Sequence, residues 1–128
     1  MDKREVDVAV IGAGTAGMVA YQRARRATDR IVLIEGDQYG TTCARVGCMP
    51  SKLLIAAAER AHQVRQAEAF GVLPGDVRID GPAVMARVRE ERDRFVAPVV
   101  RSMESLPQEH RLMGHARFVD SHRLVVGD

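Results

Sequence analysis

Both cysteines of this chain fall inside one short stretch, Thr42-Cys43-Ala44-Arg45-Val46-Gly47-Cys48-Met49-Pro50-Ser51-Lys52. On an unbroken helix, residues spaced like Cys43 and Cys48 are about 7.5 Å apart along the axis and on different faces. A disulfide needs Cα atoms about 4.4–6.8 Å apart. Bonding between these sulfurs therefore requires a bend in the backbone, and Gly47 is the residue that permits it. A dithiol that cycles with a disulfide needs one sulfur open to outside thiols and a second that communicates with an electron acceptor. A helix start and nearby cations, here Arg45 and Lys52, lower a thiol pKa and hold the thiolate that performs the exchange. Zinc is the main competitor, but only two sulfurs are present, their gap exceeds the usual C-x-x-C, and no histidine lies close in sequence. No metal site is expected. A buried inert pair is the blander alternative.

A second constellation precedes the cysteines. Gly12-Ala13-Gly14-Thr15-Ala16-Gly17 fits G-x-G-x-x-G and lies between an apolar run and a helical pattern. Gly12 allows a tight turn, Gly14 lets the backbone approach a pyrophosphate, and Gly17 lets the helix pack close to the strand. The helix start offers unpaired N–H groups and a positive dipole end. Glu35 ends the next apolar run, within the roughly 20-residue spacing expected of a carboxylate that accepts from a ribose hydroxyl. That carboxylate would repel a 2′-phosphate, so an unphosphorylated dinucleotide is expected.

The elements around these residues follow from periodicity. Residues 6–11 form a β-branched run suited to a parallel strand buried on both faces, and residues 31–34 form a second, so that 5–36 is a βαβ unit. Residues 53–70 predict a helix with Leu53, Leu54, Ala57, Ala58, Ala61 and Val64 on one face, stopped by Gly71. Asp80 caps a further helix whose stripe, Met85, Val88, Phe95, Val96, Val99, Val100 and Met103, faces a core. Pro98 should kink or break that helix. Residues 112–118 and 123–126 predict two strands joined around Asp120-Ser121, a hairpin or the start of a meander. The fold class is α/β: a Rossmann-like βαβ unit, a cysteine segment with a helical pair over 42–106, and strands over 111–127. Helices inserted between sheet strands on this scale usually carry function.

Composition narrows the function classes. A net charge of +2 with interspersed signs gives no electrostatic footprint for nucleic acid or an anionic membrane. The N-terminal Met1-Asp2-Lys3-Arg4-Glu5 runs straight into the first strand pattern without a leader-like apolar segment, so a cytoplasmic protein is expected. Two cysteines are too few for a secreted disulfide framework, which favours redox chemistry for a close pair. The four histidines, His62, His110, His115 and His122, are scattered, and surface or satisfied roles are expected of them.

Taken together, the glycine fingerprint, Glu35 and the run from Thr42-Cys43 to Cys48-Met49-Pro50-Ser51-Lys52 resemble the class I pyridine nucleotide-disulfide oxidoreductases. The Pro-Ser-Lys ending is most similar to the dihydrolipoamide dehydrogenase branch, with mercuric reductases close behind, and Gly114-His115-Ala116-Arg117-Phe118 matches the family's Gly-x-Ala-x-Phe strand. The resemblance implies an FAD-binding domain over 1–128, incomplete by the family's standard, with Gly12, Gly14 and Gly17 at the FAD pyrophosphate and Glu35 at its ribose. It implies further cofactor contacts from Thr42, Lys52 and the backbone at Ala116. It also implies that Cys43 is the interchange thiol and Cys48 the thiol against the flavin. Electrons would pass from a dithiol such as dihydrolipoamide through the disulfide and FAD to NAD, in a homodimer when complete.

Two departures stand out. The family usually carries a second glycine where Thr41 stands and an asparagine where Arg45 stands. Thr41 adds bulk near the expected flavin, and Arg45 adds charge between the cysteines. The family's NAD domain and its dimerisation domain, with an acid–base histidine and glutamate, have no counterpart in these 128 residues. Efficient turnover by this chain alone is not expected.

Overall fold

Tyr21, Ile31, Leu33 and Ile34 are the largest fully buried side chains, and three of them belong to one strand. A computed structural model describes residues 3–127. Residues 1, 2 and 128, included in the 1–128 domain expectation and, for the first two, in the N-terminal leader argument, lie outside the described residues. The chain forms two compact units: the residues up to Thr41 together with those from Pro98 onward, and Thr42–Ala97.

The first unit contains a parallel sheet in the order β1-β2-β3, made of β1 (Val8–Ile11), β2 (Ile31–Glu35) and β3 (Arg111–Met113). Val8 pairs with Ile31 and Ile11 with Ile34, while Leu33 pairs with Arg111 and Glu35 with Met113. The central strand β2 is buried from Ile31 to Ile34, as a parallel strand covered on both faces must be. β1 departs from that expectation: it is an edge strand, and Ala9 and Ile11 are exposed while Val8 and Val10 pack on the core. Helix α1 (Thr15–Ala24) buries Tyr21 in the cluster of Ala13, Ile31, Leu33 and Met103. The Tyr21 hydroxyl shares a 2.6 Å hydrogen bond with Nδ1 of buried His110, so neither polar group is left without a partner.

The single strand expected over 112–118 is two strands. Gly114 adopts φ +141, and a Cβ there would lie 3.0 Å from the Gly127 nitrogen, so the chain turns out of the first sheet at this residue. β3 completes the parallel sheet, whereas β4 (Ala116–Phe118) pairs antiparallel with β5 (Leu124–Val126) as the expected hairpin. In its turn, Asp120 accepts the His122 N–H at 2.8 Å and pairs with Arg123. The His122 N–H first, then Arg123, holds the Asp120 carboxyl below its ordinary pKa.

The second unit contains α2 (Thr42–Val46), α3 (Cys48–Gln66) and the first part of α4 (Gly81–Glu104). α3 begins earlier than the expected 53 and tightens into a 3-10 turn over Ala67–Phe70. Gly71, at φ +78, ends it by donating to the Glu68 carbonyl at 3.0 Å. Beyond its first turn, the half-buried positions of α3 are Leu53, Ala57 and Ala61, a narrower stripe than expected, since Leu54, Ala58 and Val64 are exposed. The Asp80 cap is present, its Oδ1 accepting the Ala83 N–H at 2.9 Å. Along α4, Val88 and Met103 are buried, but Met85 and Phe95, expected to face a core, are exposed. Of the kink or break expected at Pro98, the break does not occur, and the helix runs through it. Pro98 and Arg94 are both exposed, so water can satisfy the carbonyl that loses its N–H partner.

Candidate functional site

The glycine loop follows β1 directly. Gly12 has φ +94, and its N–H donates to the Ile34 carbonyl at 2.7 Å, tying the turn to the central strand. Gly14 is the N-cap of α1 and carries no side-chain cap, so the first N–H groups of the helix have no intrahelical partner. A Cβ at Gly14 would meet nothing within 4 Å, which leaves the backbone open to a close ligand. Gly17 is the opposite case. A Cβ there would overlap the Gly12 carbonyl oxygen and lie 2.9 Å from its carbon, so only glycine lets α1 begin this close to the turn.

Glu35, half-buried at the end of β2, aims its carboxylate at this loop. Its Oε2 accepts the Ala13 N–H at 2.8 Å and its Oε1 accepts the Asp37 N–H at 3.2 Å. Each oxygen retains lone-pair capacity for a further donor. An uncapped helix start, an open glycine backbone and an oriented carboxylate fit a dinucleotide whose pyrophosphate meets the loop and whose ribose meets the acid. Beyond β3, the Gly114 N–H donates to the Glu35 carbonyl at 2.8 Å, which brings the segment leading to Ala116 beside the end of β2. His115 lies over Gly36 there: a Cβ at Gly36 would come within 2.6 Å of the imidazole Nδ1.

In the second unit, Cys43 and Cys48 form a disulfide with their Cα atoms 4.8 Å apart. Helical geometry alone would hold them farther apart, and the bend that closes the gap falls at Gly47, with φ −121 and ψ −109 between α2 and α3. A Cβ at Gly47 would lie 3.2 Å from the Thr42 carbonyl oxygen, a tight contact that glycine avoids. Both cysteine residues are exposed, as exchange with an outside thiol requires. Pro50 sits in the first turn of α3, where a missing N–H costs little, and the Ser51 hydroxyl donates to the Cys48 carbonyl at 3.0 Å. Thr42 opens α2 and Lys52 is an exposed residue of α3.

The expected site residues thus form two sets. Gly12, Gly14, Gly17, Glu35 and Ala116 belong to the first unit, and Thr42, Cys43, Cys48 and Lys52 to the second. Three features go beyond what the sequence reading identified. Thr41 holds φ +60, a left-handed conformation unusual for a β-branched residue and costing about 1–3 kcal/mol. The buried Tyr39 hydroxyl has no hydrogen-bond partner among the described residues. Its pKa is raised, chiefly by burial, with Arg111 opposing and Glu35 and Glu104 adding to the rise. The third is the seat of His115 on Gly36, which joins residues far apart in sequence.

The sequence pattern of the family described as pyridine nucleotide-disulphide oxidoreductase matches residues 6–123. Dihydrolipoyl dehydrogenase 2 of Haloarcula marismortui is 40% identical over 117 residues, which are 89% of this chain and 24% of that protein. Dihydrolipoyl dehydrogenase of Geobacillus stearothermophilus is 34% identical over 97% of this chain and 27% of its own length. The chain therefore spans about a quarter of these curated relatives. Among solved structures, the Cu(II) complex of the HOCl-induced flavoprotein disulfide reductase RclA from Escherichia coli matches all of this chain and 25% of its own, with a TM-score of 0.67 and 25% identity.

Proposed function

The chain belongs to the pyridine nucleotide-disulphide oxidoreductase family, and from that premise we propose that it is the FAD-binding and redox-disulfide segment of a dihydrolipoamide dehydrogenase-like enzyme. The observation that carries the proposal is the exposed Cys43–Cys48 disulfide, held across a helix break, in a chain whose other unit presents an open glycine loop and an oriented Glu35. Gly12, Gly14 and Gly17 shape the seat for the FAD pyrophosphate, Glu35 accepts from the ribose, and Thr42, Lys52 and the Ala116 backbone add further contacts.

The cysteines perform the exchange. A thiolate of the dithiol substrate attacks Cys43, the Cys43–Cys48 bond breaks, and Cys48 leaves as a thiolate. The second substrate thiol then attacks its partner sulfur, closing the substrate disulfide and releasing Cys43. The substrate loses two electrons and the cysteine pair gains them. FAD, when bound, would supply the two-electron acceptor for the reduced cysteine pair, and NAD would be the final acceptor in the complete homodimeric enzyme. No described helix is long and apolar enough to cross a membrane.

A soft metal ion or another disulfide, as in a mercuric-type reductase, is the second substrate class. It is favoured by the structural match, over all of this chain and 25% of the other, to a disulfide reductase solved as a Cu(II) complex. A non-catalytic flavin-binding or assembly module is the remaining alternative.

The test is a single turnover with FAD-loaded chain and dihydrolipoamide, counting lipoamide formed. Without oxygen, up to two lipoamides per FAD-loaded chain are expected, one for the disulfide and one for the flavin, with none from Cys43→Ser. The Cys48→Ser chain treated with oxidised lipoamide should trap a mixed disulfide on Cys43, seen by intact mass. Failure of dihydrolipoamide to open a disulfide that a phosphine opens readily would remove lipoamide as the substrate. Bound flavin whose spectrum is unchanged by reduction of the cysteine pair would sink the redox role itself.

A further inference from the structure

The amino ends of the three parallel strands carry side chains that neither the glycine loop nor the cysteine pair uses. Where the chain enters β1, β2 and β3, Arg4, Glu5, Asp29, Arg30, Glu109 and His110 line an open pocket of about 340 Å³. The length of β2, about 13 Å, separates this end of the sheet from Glu35 and the glycine loop. None of the residues expected at the flavin or in thiol exchange lines it.

His110 is only 6% exposed, and its Nδ1 shares a 2.6 Å hydrogen bond with the Tyr21 hydroxyl. That bond fixes the tautomer of the neutral ring. Tyr21 is 2% exposed and its hydroxyl has no other partner among the described residues, so the O–H donates to Nδ1; the reverse direction would leave the phenolic proton buried without an acceptor. The ring proton therefore sits on Nε2. Nε2 has no partner among the described residues. The fully buried side-chain atoms left unpartnered there are Tyr39 Oη and Arg111 Nε, so Nε2 is not sealed off and its N–H opens into the pocket that His110 lines.

Two guanidinium groups stand beside this donor. Arg4 Nη1 donates to the carbonyl of Glu109, the residue before His110, at 2.9 Å, and Arg4 makes no ion pair among the described residues. Arg30 has only loose carboxylate contacts, 3.8 Å to Glu5 and 3.6 Å to Asp7, while its carbonyl accepts the Asp7 N–H at 2.7 Å and so holds its backbone in place. A buried N–H of fixed direction beside two forked cations is a donor set for a carboxylate. Glu5, Asp29 and Glu109 line the same pocket, three carboxylates against two arginines, and disfavour a second negative charge on the ligand. We propose that this pocket binds a small monocarboxylate, with the His110 Nε2–H and the guanidinium groups of Arg4 and Arg30 as its donors. The site is independent of the flavin and of the cysteine pair.

Titration of the full chain with acetate, in mildly alkaline buffer at constant ionic strength, tests this through the backbone amide resonances of Arg30, Ile31 and His110. Saturable shifts with a Kd of about 1–10 mM are expected, and hydrogenphosphate should bind at least about threefold more weakly. Arg4→Gln and Arg30→Gln should each weaken acetate binding at least about fivefold. The Tyr21→Phe/His110→Phe double variant replaces both buried partners by apolar rings, which preserves the fold while removing the Nε2–H, and should lose the saturable shifts. In the parent, the long-range proton–nitrogen correlation spectrum of His110 should place the ring proton on Nε2. A proton on Nδ1, shifts that do not saturate by about 100 mM acetate, or phosphate bound more tightly than acetate overturns the proposal. So do arginine variants, or a folded double variant, that bind acetate as the parent does.

Discussion

Replacing Gly17 and Gly14 by alanine, one at a time, should separate packing from ligand binding in the same loop. At Gly17 the new Cβ would overlap the Gly12 carbonyl oxygen and sit 2.9 Å from its carbon. Both obstacles are backbone, and that backbone is tied to β2 by the 2.7 Å bond from the Gly12 N–H to the Ile34 carbonyl. Restoring ordinary contact with the oxygen requires α1 to retreat by more than about 1 Å, an overpacking cost of about 1–3 kcal/mol. Weakening the Gly12–Ile34 bond adds about 1 kcal/mol. The sum, about 2–4 kcal/mol, is a large share of the 5–15 kcal/mol typical of a domain and should lower Tm by roughly 6–16 °C.

At Gly14 the same methyl meets nothing within 4 Å, and φ −74 suits alanine. Its stability cost should be under about 1 kcal/mol, the loss of a better N-cap residue. The methyl instead enters the space proposed for the pyrophosphate, so FAD affinity should fall at least about tenfold, or 1.4 kcal/mol. Thermal unfolding of the flavin-free chains by circular dichroism, paired with FAD titration, reads both quantities. A Gly14→Ala chain as unstable as Gly17→Ala, or one that binds FAD as well as the parent, would refute the division of labour between the two glycines.

Two further substitutions probe the framework. Tyr21→Phe removes the partner of buried His110 Nδ1 and should cost about 1–3 kcal/mol in chemical denaturation, whereas a change under 0.5 kcal/mol would show that the hydrogen bond contributes nothing. Thr41→Gly relieves φ +60 at about 1–3 kcal/mol and returns about 0.5–1 kcal/mol as backbone entropy, so a net gain of about 0–2.5 kcal/mol is expected in the same assay; a destabilised variant would mean that the contacts of Thr41 outweigh its backbone cost.

Much of the site was legible because its requirements are local. The glycine spacing states which backbone atoms must come close, and the structure meets it at Gly12 and Gly17 for the steric reasons the spacing implied. The five-residue step from Cys43 to Cys48 required a bend, and Gly47 supplies it. The departure at Thr41 was visible too, but as bulk; its consequence within the described residues is a left-handed backbone. Strand and helix limits were less legible where a neighbour overrode the local pattern. Residues 112–118 are apolar enough for one strand, yet Gly114 at φ +141 divides them between two sheets. Pro98 should stop a helix in isolation, but α4 continues through it because its unmatched carbonyl faces water.

Sequence by itself marked the candidates for chemistry, a glycine loop and a carboxylate proposed for a dinucleotide and a cysteine pair that can close, since each depends on residue type and short spacing. Tertiary structure decided which strand is central, which histidine is buried against Tyr21, and which one stands on Gly36. Those outcomes depend on contacts between distant segments, and no local periodicity encodes them. His62, His110, His115 and His122 were alike as residues in a list; the parallel pairing of β2 with β3 is what brings His115 to the carboxyl edge beside Glu35.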